Sequence, residues 1–99
     1  MDTKIIKSPS AGTLEILRHR QAKPEVKEDE DNIANAAAVG LVQGKLIDMI
    51  VASDIAEKAV GVTVMDVRGS CPQNMIMLAI YGDTASVEDA IKTINSKIV

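Results

Sequence analysis

Aromatic side chains are almost missing from this chain, which has one Tyr and no Phe or Trp in 99 residues. Its core must be built from Ile, Val, Leu, Met and Ala, and such side chains suit flat layers that approach closely. Cysteine is as scarce. Cys71 stands alone, so no disulfide can close within the chain, and a small secreted fold stapled by bridges is excluded. His19 is the sole histidine; with no second His and no acidic partner at ligand spacing, it reads as a surface residue. Basic excess is absent too. Eleven Lys and Arg against 14 Asp and Glu leave a net charge of −3, which is not the basic face a nucleic-acid partner requires. No apolar signal core occurs in residues 1–30, and no run approaches the roughly 20 apolar residues of a membrane span. A cytoplasmic protein without a membrane partner is expected. Catalytic sets are missing as well. Gly40-x-x-x-Gly44 lacks the Lys-Ser/Thr tail of a phosphate loop, and no Ser/His/Asp or paired-carboxylate set appears, so an enzyme is not expected.

What is present fits one domain. A chain this short gains from burial between subunits. Residues 1–12 read as an N-terminal tail, in which Ile5-Ile6 lies between Lys4 and Lys7 and Ser8-Pro9-Ser10-Ala11-Gly12 ends any regular element. The tail is either a frayed terminus, which the sequence favours, or a short strand that orders only in an assembly. The remaining domain, 13–99, opens on the alternation of Thr13–Arg18, a strand pattern. Residues 21–32 are nearly continuous charge around Pro24 and read as a solvated acidic loop; without a central Gly they do not match a calcium loop. Ala37–Gln43 reads as a strand, because Gly40 is poor in a helix, and its small residues let a helix lie close. Lys45–Val60 reads as a helix burying Ile47, Val51, Ile55 and Ala59, with Leu46 and Ile50 beside them. Val62–Val67 and Met75–Tyr81 read as strands, the second covered on both faces. Asp83 or Thr84 caps a second helix whose buried stripe is Val87, Ala90, Ile91, Ile94 and Ile98. Met49, Met65, Met75 and Met77 read as gap filling in a core without rings.

Between the last two strands lies Arg68-Gly69-Ser70-Cys71-Pro72-Gln73-Asn74, a stretch too rich in turn formers to be strand. It carries the only thiol. One thiol per chain is a poor metal site, unless identical copies bring their sulfurs together at a symmetry axis.

Three segments, in order and at matching spacing, carry a resemblance. Ala38-Val39-Gly40-Leu41-Val42-Gln43-Gly44, Ala52-Ser53-Asp54-Ile55-Ala56-Glu57-Lys58-Ala59-Val60 and Ala79-Ile80-Tyr81-Gly82-Asp83 resemble bacterial microcompartment (BMC-domain) shell proteins over about Ala36 to Lys97. In most members the last strand follows the second long helix. Here a strand-like segment, Thr13–His19, comes first, which resembles the circularly permuted subfamily. The resemblance implies an α/β (α+β) fold: a four-stranded antiparallel-type sheet with two main helices, assembled as a cyclic hexamer that tiles a shell with other shell proteins. It also implies that Lys58 lies at the tile edge, that residues 68–74 line a central pore, and that the N-terminal tail, near Lys4–Ser8, forms a cap over that pore.

The Cys-Pro in the loop resembles the permuted shell proteins of glycyl-radical, propanediol-utilisation microcompartments, which bind an iron–sulfur cluster through a Gly-x-Cys-Pro loop. By that resemblance Gly69, Ser70, Cys71, Pro72 and Gln73 form the cofactor loop. The same resemblance implies that Cys71 is the metal ligand of a 4Fe-4S cluster and that encapsulated redox enzymes are its partners. Thiolates are the usual cluster ligands. A cubane takes four ligands and a six-fold ring offers six, so symmetry would break locally or alternate chains would bind. The alternatives are a tile with a metal-free pore for metabolite passage and a small-molecule-binding regulatory α+β domain, dimeric or trimeric.

Overall fold

The computed structural model describes residues 1–69 and 75–98. In chain order the elements are β1 (Asp2–Lys7), α1 (Ala11–His19), α2 (Lys27–Ala34), β2 (Ala38–Lys45), α3 (Leu46–Glu57), β3 (Val62–Val67), β4 (Met75–Gly82) and α4 (Thr84–Lys97). One antiparallel sheet has the order β1-β2-β4-β3. This is the expected four-stranded α+β architecture, with α3 and α4 as its two longest helices.

Alternation along the two central strands divides the core between the two faces of the sheet. Ala38 and Val42 of β2, with Leu78 and Ile80 of β4, pack beneath α3 and α4. Val39, Ala79 and Tyr81 face the other way, against Leu17 of α1 and Ile33 of α2. Both faces of β4 are covered, as its unbroken apolar run predicts. Gly40 is the point of closest approach: a Cβ there would stand 3.0 Å from Val87 Cγ1 and from Ile91 Cδ1 and Cγ1 on α4. The α4 stripe is as expected, with Val87, Ala90, Ile91 and Ile94 buried. Its cap is Asp83, whose Oδ1 accepts from the Ser86 N–H at 2.8 Å.

The first third of the chain departs from expectation. Residues 1–12, read as a tail, contain β1, which pairs with β2 from Asp2↔Gln43 to Lys7↔Ala38 within a single chain. Ile5 and Ile6 pack on opposite sides of the sheet, and that burial holds the strand. It is a strand of the sheet rather than a cap over a pore. The permuted closing strand is therefore β1, and Thr13–His19, expected in that role, is helix. Ser10, read as part of a terminator, is the N-cap of α1 and accepts from the Thr13 N–H at 3.2 Å. Leu14 and Leu17 meet the sheet at i, i+3 spacing, while Ile16 is 62% exposed.

The expected acidic loop, 21–32, is half helix. Glu28, Asp29 and Glu30 occupy the first turn of α2, where negative charge complements the helix dipole, and buried Ile33 pins it to the sheet. In α3 the buried face is Met49, Ala52 and Ala56. Ile55 and Ala59 are partly buried against that core. Ile47 and Val51, expected inside, are 74% and 47% exposed, with Ile50 at 61% and Leu46 at 47%. The alanines win the inner face because a helix on small side chains sits closer to the sheet.

Candidate functional site

The hairpin between β3 and β4 carries the cysteine stretch, and the fold clamps its base. Val67 is buried and pairs with Met77 across the hairpin. On its other side Val67 forms an antiparallel bridge with Gln21, and the Arg68 N–H donates to the Arg20 carbonyl. The segment leaving α1 thus extends the sheet by one rung beyond β3. The clamp has a polar anchor: the Tyr81 hydroxyl donates to Gln21 Oε1 at 2.8 Å, and both residues are buried. Burial pushes the Tyr81 phenol up to about 12, and the nearby charge of Arg18 offsets this only in part. The phenol is therefore a permanent donor at neutral pH.

Of the expected loop residues, Gly69 is exposed at the end of this stem. Ser70, Cys71, Pro72 and Gln73 lie outside the described residues. Among the described residues no group of three His, Cys, Asp or Glu is placed to hold a metal ion. His19 is on the surface, 3.2 Å from Glu15 one turn away, as its isolation in the sequence suggests.

Lys58 stands at the C-cap of α3, where its Nζ is 2.8 Å from Asp54 Oδ2 in an exposed i, i+4 pair. Such a pair contributes little to stability but holds the ammonium in place. Beside it, a groove of about 470 Å³ runs between the end of α3 and α4, lined by Ile55, Val60, Asp89 and Lys97 among others. Val60 at its rim is 92% exposed.

The feature missed in the sequence is the outer face of α3, where Leu46, Ile47, Ile50 and Val51 are uncovered. Its signal was readable. Leu46, Ile47, Met49, Ile50, Val51, Ala52 and Ile55 surround the helix, and a helix apolar on all sides is buried on all sides. Four large aliphatic side chains on one helix exceed the scattered exposure of an ordinary surface.

A sheet with paired long helices on one face, a hairpin clamped at its stem and an apolar outer helix face define a domain built for assembly. Residues 34–98 match the BMC domain family, and the chain belongs to the BMC-domain shell proteins of bacterial microcompartments. More particularly, it is similar to GrpU microcompartment shell proteins. The ligand-free structure of GrpU from Clostridiales bacterium 1_7_47FAA is 48% identical, with a TM-score of 0.70 over 96% of this chain and 88% of that one. Ligand-free GrpU from Pectobacterium wasabiae is 28% identical, with a TM-score of 0.72 over 95% of this chain and 99% of that one. No curated protein matches the chain. The protein is therefore a structural shell component and not an enzyme, and family membership places it in the microcompartment shell of the bacterial cytoplasm. The alternative of a regulatory ligand-binding domain gives way to that membership. Among the described residues no helix is long and apolar enough to cross a membrane.

Proposed function

We propose that six copies of the chain close into a cyclic tile whose axial loop, Gly69–Gln73, lines a pore and binds an iron–sulfur cluster through Cys71. The observation that carries the tile is the outer face of α3: Leu46, Ile47, Ile50 and Val51 remain exposed in the single chain, and a second copy is the cover that family membership supplies. Lys58, held by Asp54 at an exposed corner, would meet neighbouring shell proteins at the tile edge.

The donor set fits a cluster. The chain has one thiol, and rotation repeats it around one axis. Thiolates are the ligands such clusters take, four to a cubane, so four of the six copies would ligate. Pro72 would stiffen the loop, and backbone N–H groups near the sulfurs would tune the potential. When bound, the cluster supplies one-electron transfer or is itself delivered to redox enzymes enclosed by the shell, in a compartment of the glycyl-radical, propanediol-utilising kind. The chain's own part is to hold the thiolates at the axis on a hairpin whose base is fixed by Gln21 and Arg20.

Two measurements test this. Native mass should give six chains; a stable dimer or monomer overturns the tile. Anaerobic reconstitution with iron and sulfide should give a brown protein with charge-transfer absorbance, lost in Cys71→Ser. A colourless hexamer overturns the cluster and leaves a metal-free pore for metabolites.

A further inference from the structure

A cavity of about 460 Å³ opens between α1, the connector that follows it and α2. That size falls within the range of small-molecule sites, about 300–1,000 Å³. Its floor is part of the packed fold. Ile33 and Gln21 line it and are buried, and Pro24 beside them is half-buried. Gln21 is only 5% exposed, and its two ends differ. Oε1 accepts from the Tyr81 hydroxyl, whereas Nε2 donates to no protein group among the described residues. No enclosed side-chain nitrogen or oxygen among those residues lacks a partner. The Nε2 hydrogens are therefore not sealed in the core and open on the cavity that the side chain lines.

The charges at the mouth set the sign of an occupant. Two carboxylates line it, and each has its own compensation. Glu15 is 3.2 Å from His19, and Glu30 lies in the first turn of α2, where the helix dipole favours negative charge. The two other charged residues of the lining, Arg18 and Lys23, join no ion pair among the described residues. Arg18 stands close enough to the floor for its charge to act on the Tyr81 phenol. An amide donor below and two uncommitted cations above call for a negatively charged acceptor. Ile33 and Pro24 call for an apolar body beside it.

We propose that this cavity binds a small carboxylic acid with an apolar body. Its carboxylate takes hydrogen bonds from Gln21 Nε2 and from the Arg18 guanidinium, whose planar fork of donors matches the two oxygens. Lys23 closes the mouth, and the body covers Ile33 and Pro24. The site belongs to the single chain and needs neither the tile nor the cluster. It also touches the hairpin. Gln21 bridges Val67 and anchors Tyr81, so an occupant that fixes its amide tightens the stem below the cysteine loop. Where the loop lines a pore, which rests on the hexameric reading, the base of that loop becomes responsive to a solute.

The probe is sodium benzoate, compared with benzyl alcohol and with sodium chloride at equal ionic strength. Calorimetric titration would be run on the wild type, Arg18→Gln and Ala22→Trp, with hydrogen exchange at Arg68 followed with and without probe. Arg18 and Ala22 are both exposed on the cavity wall, so neither change enters the core. Benzoate should bind saturably, and chloride should not. Arg18→Gln should weaken binding about tenfold, as loss of a charged hydrogen bond implies. Ala22→Trp fills the cavity and should abolish binding. Exchange at Arg68 should slow with benzoate in the wild type and not in Ala22→Trp. Absence of saturable binding, or binding unchanged in both variants, overturns the site. Benzyl alcohol binding as tightly as benzoate overturns recognition of the carboxylate. Binding that leaves exchange at Arg68 unchanged overturns the link to the hairpin.

Discussion

Tyr81 is the only ring in the core, and its hydroxyl has one partner, Gln21, among the described residues. Replacing it with Phe keeps the packing but leaves Gln21 Oε1 buried without a donor, a loss of about 1–3 kcal/mol. Tyr81→Phe should therefore unfold at lower urea than the wild type at pH 7. The phenol also couples stability to alkali. Its folded value of about 12 lies above the ordinary 10.0, so its contribution is complete below pH 10 and is lost as pH rises towards 12. Between pH 9 and 12 the wild-type urea midpoint should fall more steeply than that of Tyr81→Phe; parallel curves would show that the phenol does not carry the effect. Because Gln21 also bridges Val67, the variant should loosen the hairpin stem, seen as faster amide exchange at Arg68.

At the scale of elements, Gly40 decides how closely α4 lies on β2. A Cβ would meet Val87 and Ile91 at 3.0 Å, and overpacking of this kind costs about 1–3 kcal/mol. Gly40→Val should lower the urea midpoint accordingly, since neither neighbour can retreat without disturbing the α4 stripe. The same helix is pinned at its start by Asp83. Hydrogen bonds from the Ser86 N–H and hydroxyl hold the Asp83 carboxyl below its ordinary value of 3.8. Its contribution is present above that value and is lost as pH falls through the lower folded one. Asp83→Asn, which still accepts at the cap, should flatten the acid limb of the stability curve relative to the wild type.

For the whole molecule, the outward face of α3 is the decisive surface. Ile47 and Ile50, 74% and 61% exposed, can be changed without entering the core. If the proposed tile closes through this face, Ile47→Asp with Ile50→Asp should keep the circular dichroism of the fold and shift native mass from six chains to one. A double variant that stays hexameric would place the interface elsewhere. On the proposed tile, Lys58→Asp tests the other boundary: it would repel Asp54 and should weaken packing between tiles while leaving the proposed hexamer intact, which sheet formation seen by electron microscopy can separate from native mass.

The sequence by itself determined the kind and order of the elements from Ala38 onward. There, β-branched and apolar runs mark the strands, Asp83 caps where a cap is needed, and small residues mark the close approach of α4. It also determined where the lone thiol sits in the chain order. What it left to the tertiary structure is the part where local pattern and packing compete. Thr13–Arg18 alternates like a strand, yet Ser10 caps a helix there and Leu14 with Leu17 find a sheet face to cover. Residues 27–34 look solvated by composition, yet a single Ile33 anchors a helix. Ile5 and Ile6 are too few to announce a strand and become one because β2 offers an unpaired edge and both faces of the sheet offer cover. The facing of α3 was undecidable from periodicity, since a helix apolar on every side has no preferred inside. Only packing against the sheet and α4, which buries Met49, Ala52 and Ala56 and leaves Ile47 and Ile50 outward, settled it.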